Sequence, residues 1–526
     1  MSFAQTRTLL DDFPFAVSLV DVPAPNETLI VCDRSDLPGI VQYVSGRGCK
    51  LATMTGLDLT PMGEQLAVEF VFSLPAYDEF LRVRAAVPLD HHSYPSVTLV
   101  LPAAQWYERE VKDLFGIDPV GHPDPRRLVL HETFPAGYHP LRKNVSATAS
   151  APTDTRHFDY FEVQGEGVYE LPVGPIHAGI IEPGHFRFSN IGERMIHLDA
   201  RLFYTHRGLE KTVEGLPFAK ALFTAERTCA VCTVSHAVAF SSAVERMAQT
   251  PVPPRASWLR TLLLELERLY NHVGDISNIC AGAGFHAGTS RGAILKERLQ
   301  RLNEELTGHR YLMGVVGIGG LRYDLRAEAL DRLDRELPAL RDEFEDYLDM
   351  LRSAPTFVHR MDGPGALDLE TVIAFGGTGV TARASGLNTD YRIDHPHAAY
   401  SAIGVPRITE HAGDVQARFM VRAREALECF DLLGRVLGGL PGGDISAPLG
   451  PIAGGASAIG YAESPRGSNV HWLMAGPTGE TIYRLRIRSA SYANWPLVTR
   501  AVPGNMVPDF PLINKSFELC YACCDR

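Results

Sequence analysis

The sequence predicts an α+β protein in two parts, a small mixed α/β domain at the N-terminus followed by a mainly helical-bundle body with peripheral β structure. Three observations carry this. Short β-rich runs alternate with helical stretches before residue 150, a small-polar segment without apolar periodicity follows, and four long amphipathic patterns lie beyond it. A chain of 526 residues with 45% hydrophobic content buries a large core, and that length favours two domains over one.

Taken in order, residues 27–32 and 65–73 are β-type and residues 37–45 helical, which places an α+β domain over 1–150. A Pro- and Arg-rich stretch at 121–143 runs into small polar residues at 144–155, and the linker is assigned to 151–164. The body spans 165–526. Within it, residues 255–274, 296–316, 330–351 and 414–437 carry apolar side chains at i, i+3, i+4 and i+7 with charges at the other positions, the pattern of amphipathic helices in a bundle. The last hundred residues read as Gly- and Pro-rich loops at 438–460 and a β-type stretch at 481–488.

A net charge of -12 argues against nucleic acid or an anionic membrane surface as the main partner. No run approaches the roughly 20 apolar residues of a membrane-spanning helix, so direct membrane insertion is not expected. The start also lacks a basic run followed by an apolar segment. Nine cysteines, odd in number and sparse, suit a reducing compartment rather than a disulfide scaffold.

Four of those cysteines form two pairs, in Arg227-Thr-Cys229-Ala-Val-Cys232-Thr-Val-Ser-His236 and in Cys520-Tyr-Ala-Cys523-Cys524-Asp-Arg526. A Cys-x-x-Cys pair presents two sulfurs to one soft metal, and thiolates select zinc, nickel, copper or iron–sulfur clusters over hard cations. Pairs this far apart in sequence are unlike a zinc ribbon, although a structural zinc and redox-active cysteines both remain alternatives at this point. Cys32, Cys49, Cys280 and Cys429 are scattered and read as small buried hydrophobes.

An Arg-x-Cys-x-x-Cys-x-x-x-His motif in mid-chain with a C-terminal Cys-x-x-Cys resembles the large subunits of nickel–iron hydrogenases. The resemblance implies a nickel–iron centre, with Cys229 and Cys520 as terminal nickel ligands, Cys232 and Cys523 bridging to iron, and carbon monoxide and cyanide completing the iron. It gives His236 a role beside a bridging sulfur, as a hydrogen-bond donor that tunes thiolate basicity. Heterolytic cleavage of hydrogen needs a nearby base, and Glu182, in Gly174-Pro-Ile-His177-Ala-Gly-Ile-Ile-Glu182-Pro-Gly-His185, resembles the family's proton-relaying glutamate. Arg466, in Ser464-Pro-Arg466-Gly467, resembles the arginine whose guanidinium overhangs the substrate position. Glu210, in Arg207-Gly-Leu-Glu210-Lys211, resembles a glutamate that holds a second ion, magnesium or iron, together with a C-terminal histidine. Arg526 stands where that histidine would be, so pairing of Glu210 with the guanidinium is the competing expectation.

The N-terminal run Glu108-Arg-Glu110-Val-Lys-Asp113-Leu-Phe-Gly116, with Gly121-His-Pro-Asp-Pro-Arg126-Arg127 and His139-Pro-Leu-Arg142-Lys143, is similar to the 30-kDa subunit of respiratory complex I, and its charged character suggests a docking surface. The chain from about residue 165 resembles the 49-kDa subunit. Fusion of the two with both cysteine pairs kept resembles the large subunits of formate hydrogenlyase and hydrogenase-4 complexes. That implies reversible conversion of protons and electrons to H2, a small partner subunit bearing a 4Fe-4S cluster, further iron–sulfur and membrane subunits, and a cytoplasmic position on the inner face of the membrane. The competing readings are a quinone-reducing complex I component, where a histidine at the place of His177 contributes to the quinone cavity, and a noncatalytic subunit with structural zinc. Two departures stand out: Glu518-Leu519 precedes Cys520 where Asp-Pro is common, and Cys524 adds a third thiol.

Overall fold

The computed structural model describes residues 9–526 apart from 11–12, 75–77, 156 and 179–180. Five strands open the chain: β1 Val17–Asp21, β2 Glu27–Cys32, β3 Lys50–Asp58, β4 Leu66–Leu74 and β5 Glu79–Val87. They form one sheet in the order β1-β2-β5-β4-β3, in which β2 and β5 run parallel and the other neighbours antiparallel. Helix α1, Leu37–Ser45, buries Leu37, Ile40, Val41 and Val44, an i, i+3, i+4, i+7 stripe. Helix α2, Gln105–Phe115, buries Glu108, Arg109, Glu110 and Asp113 as well as its apolar residues.

These four charges of the N-terminal signature face inward and not onto a surface. Glu108 accepts from Ser96, Thr98 and the Val97 amide, and Asp113 accepts the amides of Leu128, Val129 and Leu130. The charged signature therefore ties loops together inside the chain, because a buried carboxylate is tolerated only with such partners.

After residue 164 come three antiparallel strands, β6 Val168–Val173, β7 His185–Ile191 and β8 Arg194–Arg201. Helix α3, Thr233–Met247, leads to four long helices: α4 Pro254–Gly282, α5 His286–Thr307, α6 Ala327–Arg352 and α7 Val415–Gly439. Helix α4 packs on α5 and α7, and α6 closes the ring between those two, giving a four-helix bundle. The expected bundle helices are all present, with one shift: the pattern at 296–316 belongs to a helix that begins at His286 and ends at Thr307. Glycine obscured its start. A Cβ on Gly292 would stand 2.6 Å from Ser277 Cβ and from the Tyr347 hydroxyl, so the close approach of α4, α5 and α6 requires glycine there.

Helix α4 departs from the amphipathic reading, since Arg260, Glu265, Glu267, Arg268, His272 and Asp275 are all buried. It is surrounded by other elements, and its charged residues pair across them: Arg260 with Glu245, Arg392 with Glu265, His272 with Glu425 and Arg422 with Asp275.

The closing segment holds strands β9 Ser457–Ser464, β10 Gly467–Ala475 and β11 Ile482–Arg488, then helices α8 Ala490–Ala501, α9 Phe510–Phe517 and α10 Tyr521–Asp525. Peripheral β structure describes β6–β8, which keep exposed positions. The β9–β11 sheet is buried at every residue, with α3 on β9 and the N-terminal sheet against it. Among the described residues no helix is long and apolar enough to cross a membrane.

Candidate metal centre

Cys232 stands at the N-cap of α3 and Cys520 at the N-cap of α10, so the two pairs meet where two helices begin. The donor sulfurs of Cys229, Cys232 and Cys523 lie within 4.8 Å of one another. Cys520 packs against these three, and its sulfur accepts from the Cys523 amide at 3.4 Å. Four thiolates at roughly 2.3 Å from one tetrahedral ion stand about 3.8 Å apart, so the cluster is of metal-binding size. Hydrogen bonds from Cys229 and Cys523 pull the Cys520 thiol well below its ordinary range, and bonds from the same two residues do so for Cys232. Burial pushes Cys229 and Cys523 well above it. Three buried sulfurs with a fourth, half-buried one beside them form a donor set that fits a soft metal. Cys524 is buried and lies outside this cluster. Cys32, Cys49, Cys280 and Cys429 are buried too, as expected.

The centre is open on one side. Cys229 and Cys520 line a cavity of about 240 Å³ with Glu182, Arg466, Asn278 and Glu518. Structural zinc sites are closed, whereas catalytic metals keep an open position. Burial, and next the neighbouring Cys520, raises the Glu182 carboxyl above the usual carboxylate range, which suits a group that holds and releases a proton. Arg466 is fixed from three sides: its Nη1 donates to Asn271 Oδ1 at 3.1 Å, its Nη2 to Asp275 Oδ1 at 3.3 Å and its Nε to the Glu518 carbonyl. Asn271 also donates to the Val231 carbonyl at 2.8 Å, between the two mid-chain cysteines. Glu267 caps α3 by accepting from the amides of Val234 at 2.6 Å and Ser235 at 3.1 Å. Its carboxyl is pushed up to about 8 by burial and then by Cys232.

Glu267, Asn271 and Asp275 follow one another at i, i+4 and i+8 on α4, one polar stripe facing the cysteines. Sequence reasoning missed all three. The signal was there, because three polar residues at helical spacing on a segment rich in leucine mark a second face. His236 Nε2 lies 3.3 Å from Cys523 Sγ and its Nδ1 2.9 Å from His471 Nε2. Burial holds both imidazoles in the neutral form, His471 down to about 3. His177 Nε2 meets the Tyr521 hydroxyl at 3.2 Å, beside Cys520.

The complex I 49 Kd subunit family model matches residues 284–452 and 449–526, the 30 Kd subunit model residues 30–151, and the nickel-dependent hydrogenase model residues 207–276. Formate hydrogenlyase subunit 5 of Escherichia coli is 36% identical over 93% of this chain and 87% of that protein. Hydrogenase-4 component G of the same organism is 34% identical over 98% and 91%. The chain belongs to the complex-I-related nickel-dependent hydrogenases. As a hydrogenase large subunit it is an oxidoreductase. A chain from the archaeal membrane-bound sulfane sulfur reductase shares the fold, with TM-score 0.65 and 26% identity over 69% of this chain and 99% of that one.

A second metal ion does not fit at Glu210 of this hydrogenase subunit. The carboxylate already meets Arg484 at 2.8 Å, Arg526 at 3.0 Å and Arg486 at 3.2 Å, and accepts from the Ile487 amide at 2.9 Å. Arg526 and Arg486 also hold Glu110 of the N-terminal domain, at 2.7 and 2.5 Å. Three guanidinium groups face two carboxylates, and an added divalent cation would meet net positive charge. The expectation of a second ion is replaced by the pairing with Arg526.

Proposed function

We propose that this subunit carries a nickel–iron centre on Cys229, Cys232, Cys520 and Cys523 and interconverts H2 with protons and electrons in a formate hydrogenlyase or hydrogenase-4 type complex. Cys229 and Cys520 would hold nickel as terminal ligands, and Cys232 and Cys523 would be shared between nickel and an iron completed by carbon monoxide and cyanide. The observation that carries this reading is the one-sided opening: the first cysteine of each pair lines the cavity and the second of each does not. When bound, such a centre supplies the site at which H2 is split heterolytically.

The protein's own groups then handle the proton and the field around it. A terminal cysteine sulfur takes the proton and Glu182, on the wall of the same cavity, carries it onward. Arg466 presents a fixed positive charge to the cavity, held by Asn271, Asp275 and the Glu518 carbonyl so that it does not reorient during turnover. His236 donates to the Cys523 sulfur. Electrons leave through a small partner subunit with a 4Fe-4S cluster, because the remaining cysteines are dispersed and cannot hold one. Further iron–sulfur and membrane subunits anchor the assembly on the cytoplasmic, inner face of the membrane. The linker at 151–164 joins the N-terminal domain, 1–150, to the catalytic body, 165–526.

Elemental analysis of anaerobically purified protein, with infrared spectroscopy of the carbon monoxide and cyanide stretches, tests the centre. Nickel and iron with those bands are expected. Zinc alone, or no metal after production with a competent maturation system, would return the chain to a structural or quinone-reducing role.

A further inference from the structure

Beside the cysteine cluster, two fully buried imidazoles form a chain that ends in an unpartnered nitrogen. His236, one turn into α3, points Nε2 at Cys523 Sγ, 3.3 Å away, and Nδ1 at His471 Nε2, 2.9 Å away. His471 belongs to β10, which the Arg466 loop leads into. Its Nδ1 is buried with no hydrogen-bond partner. The two elements are held close: a Cβ on Gly460 of β9, the residue paired with His471, would stand 1.9 Å from the Ala239 carbonyl of α3.

Two neutral imidazoles joined by one hydrogen bond can arrange their protons in two ways. In the first, His471 Nε2–H donates to His236 Nδ1, His236 Nε2–H donates to the sulfur, and the bare His471 Nδ1 is a buried acceptor. In the second, every proton moves to the opposite nitrogen. His236 then presents a lone pair to the sulfur, and His471 Nδ1–H becomes a buried donor with no acceptor. A metal-bound thiolate has no proton to offer a lone pair, and orphaned buried donors are rarer than under-satisfied acceptors. Both considerations select the first arrangement.

We propose that His471 is a positioning residue of the metal centre: by donating Nε2–H to His236 it fixes the tautomer in which His236 donates to the Cys523 sulfur. The inference rests on Cys523 being a ligand of the nickel–iron centre. Its consequence is electronic. A hydrogen bond withdraws charge from the sulfur, so its loss makes the thiolate a stronger donor, and the bridged iron gives more charge to its carbon monoxide.

The test compares His471→Gln, whose amide nitrogen reaches about as far as Nε2, with His471→Asn, which has the same chemistry and falls short of His236. Infrared spectra and nickel content are measured on the anaerobically purified complex. The glutamine variant is expected to keep the wild-type carbon monoxide band, and the asparagine variant to retain nickel while the band moves to lower frequency. Should the asparagine variant fail to take up metal where the glutamine variant succeeds, the dependence on donor reach stands by that route. Identical bands in wild type, His471→Asn and a third variant, His471→Leu, would overturn the proposal. Wild-type protein without nickel or these bands would instead sink the reading of the centre itself.

Discussion

Replacing Arg526 with methionine removes the guanidinium that joins the C-terminal tail with Cys520 and Cys523 to the N-terminal domain and keeps most of the aliphatic stem. Arg526 is 1% exposed. It holds Glu110 at 2.7 Å, Glu210 at 3.0 Å and the Ile487 carbonyl at 2.9 Å, and lies 4.8 Å over the Tyr492 ring. Removing one partner from a buried ion pair commonly costs about 3–5 kcal/mol because a charge is left uncompensated. Here Arg484 and Arg486 continue to face both carboxylates, which lowers the cost to about 2–3 kcal/mol. The unpaired Ile487 carbonyl accounts for about 1 kcal/mol of that and the weakened hold on Glu110 for the rest. At 1.4 kcal/mol per tenfold, local opening of α10 should rise roughly 30- to 150-fold. The amides of Cys524 and Arg526, bonded to the Cys520 and Ala522 carbonyls, report that opening in hydrogen–deuterium exchange by mass spectrometry. Unchanged exchange in the tail peptide would refute the latch, and so would one equivalent of magnesium bound to the wild-type protein.

Two further perturbations separate chemistry from architecture. Glu182→Gln should leave nickel content unchanged while hydrogen–deuterium exchange with H2 falls by roughly 10²–10⁴-fold, the usual contribution of a positioned proton carrier; wild-type exchange would remove Glu182 from the path. His397, far from the cysteines in sequence, is held at about 4 by burial, against roughly 6.5 when unfolded. The folded protein therefore binds fewer protons than the unfolded chain between those values. The stability this group contributes is present above pH 6.5 and is lost as pH falls toward 4, by roughly 3 kcal/mol across the window. In His397→Gln the urea midpoint should vary less between pH 6.5 and 4.5 than in wild type, and an equal slope would exclude His397 as a source of acid sensitivity.

The sequence made the cysteine cluster legible because thiolate chemistry is written in spacing: Cys229, Cys232 and Cys523 converge, with Cys520 packed against them. Helix existence was equally readable, since α1, α6 and α7 carry regular apolar stripes. What escaped was the polar interior. Glu267, Asn271 and Asp275 look like the solvated face of an amphipathic helix until α4 is seen enclosed by α3, α5, α7 and α9. Likewise Glu108, Glu110 and Asp113 resemble a charged surface, and only the return of loops and arginines from elsewhere in the chain turns them inward. Periodicity reports that a helix has two faces; it does not report that both are covered.

Strand β11 shows why the two parts of the chain should not be separable. Its alternate residues Arg484, Arg486 and Arg488 share one face and turn toward the N-terminal sheet. Arg488 donates to the Ala52 carbonyl at 2.6 Å, Arg486 to the Met54 carbonyl at 3.1 Å and Arg484 to Thr55 at 3.3 Å, all on β3. In return Trp472 of β10 donates to Glu69 at 2.8 Å, Arg82 of β5 to Ser457 at 2.8 Å, and the Ile459 amide to Glu27 at 2.8 Å. Cut free of that sheet, the body would expose Trp472, Ile459 and Val470, Arg488 and Arg486 would lose the Ala52 and Met54 carbonyls, Arg484 the Thr55 hydroxyl, and Arg486 also the Glu110 carboxylate. A fragment of residues 165–526 produced alone should therefore aggregate or remain susceptible to protease. The same fragment co-produced with residues 1–164 should be recovered as a soluble pair that takes up nickel. A soluble, protease-resistant body without the N-terminal part would show that the inter-sheet arginines are dispensable. In that case Arg526 could not owe its position to Glu110.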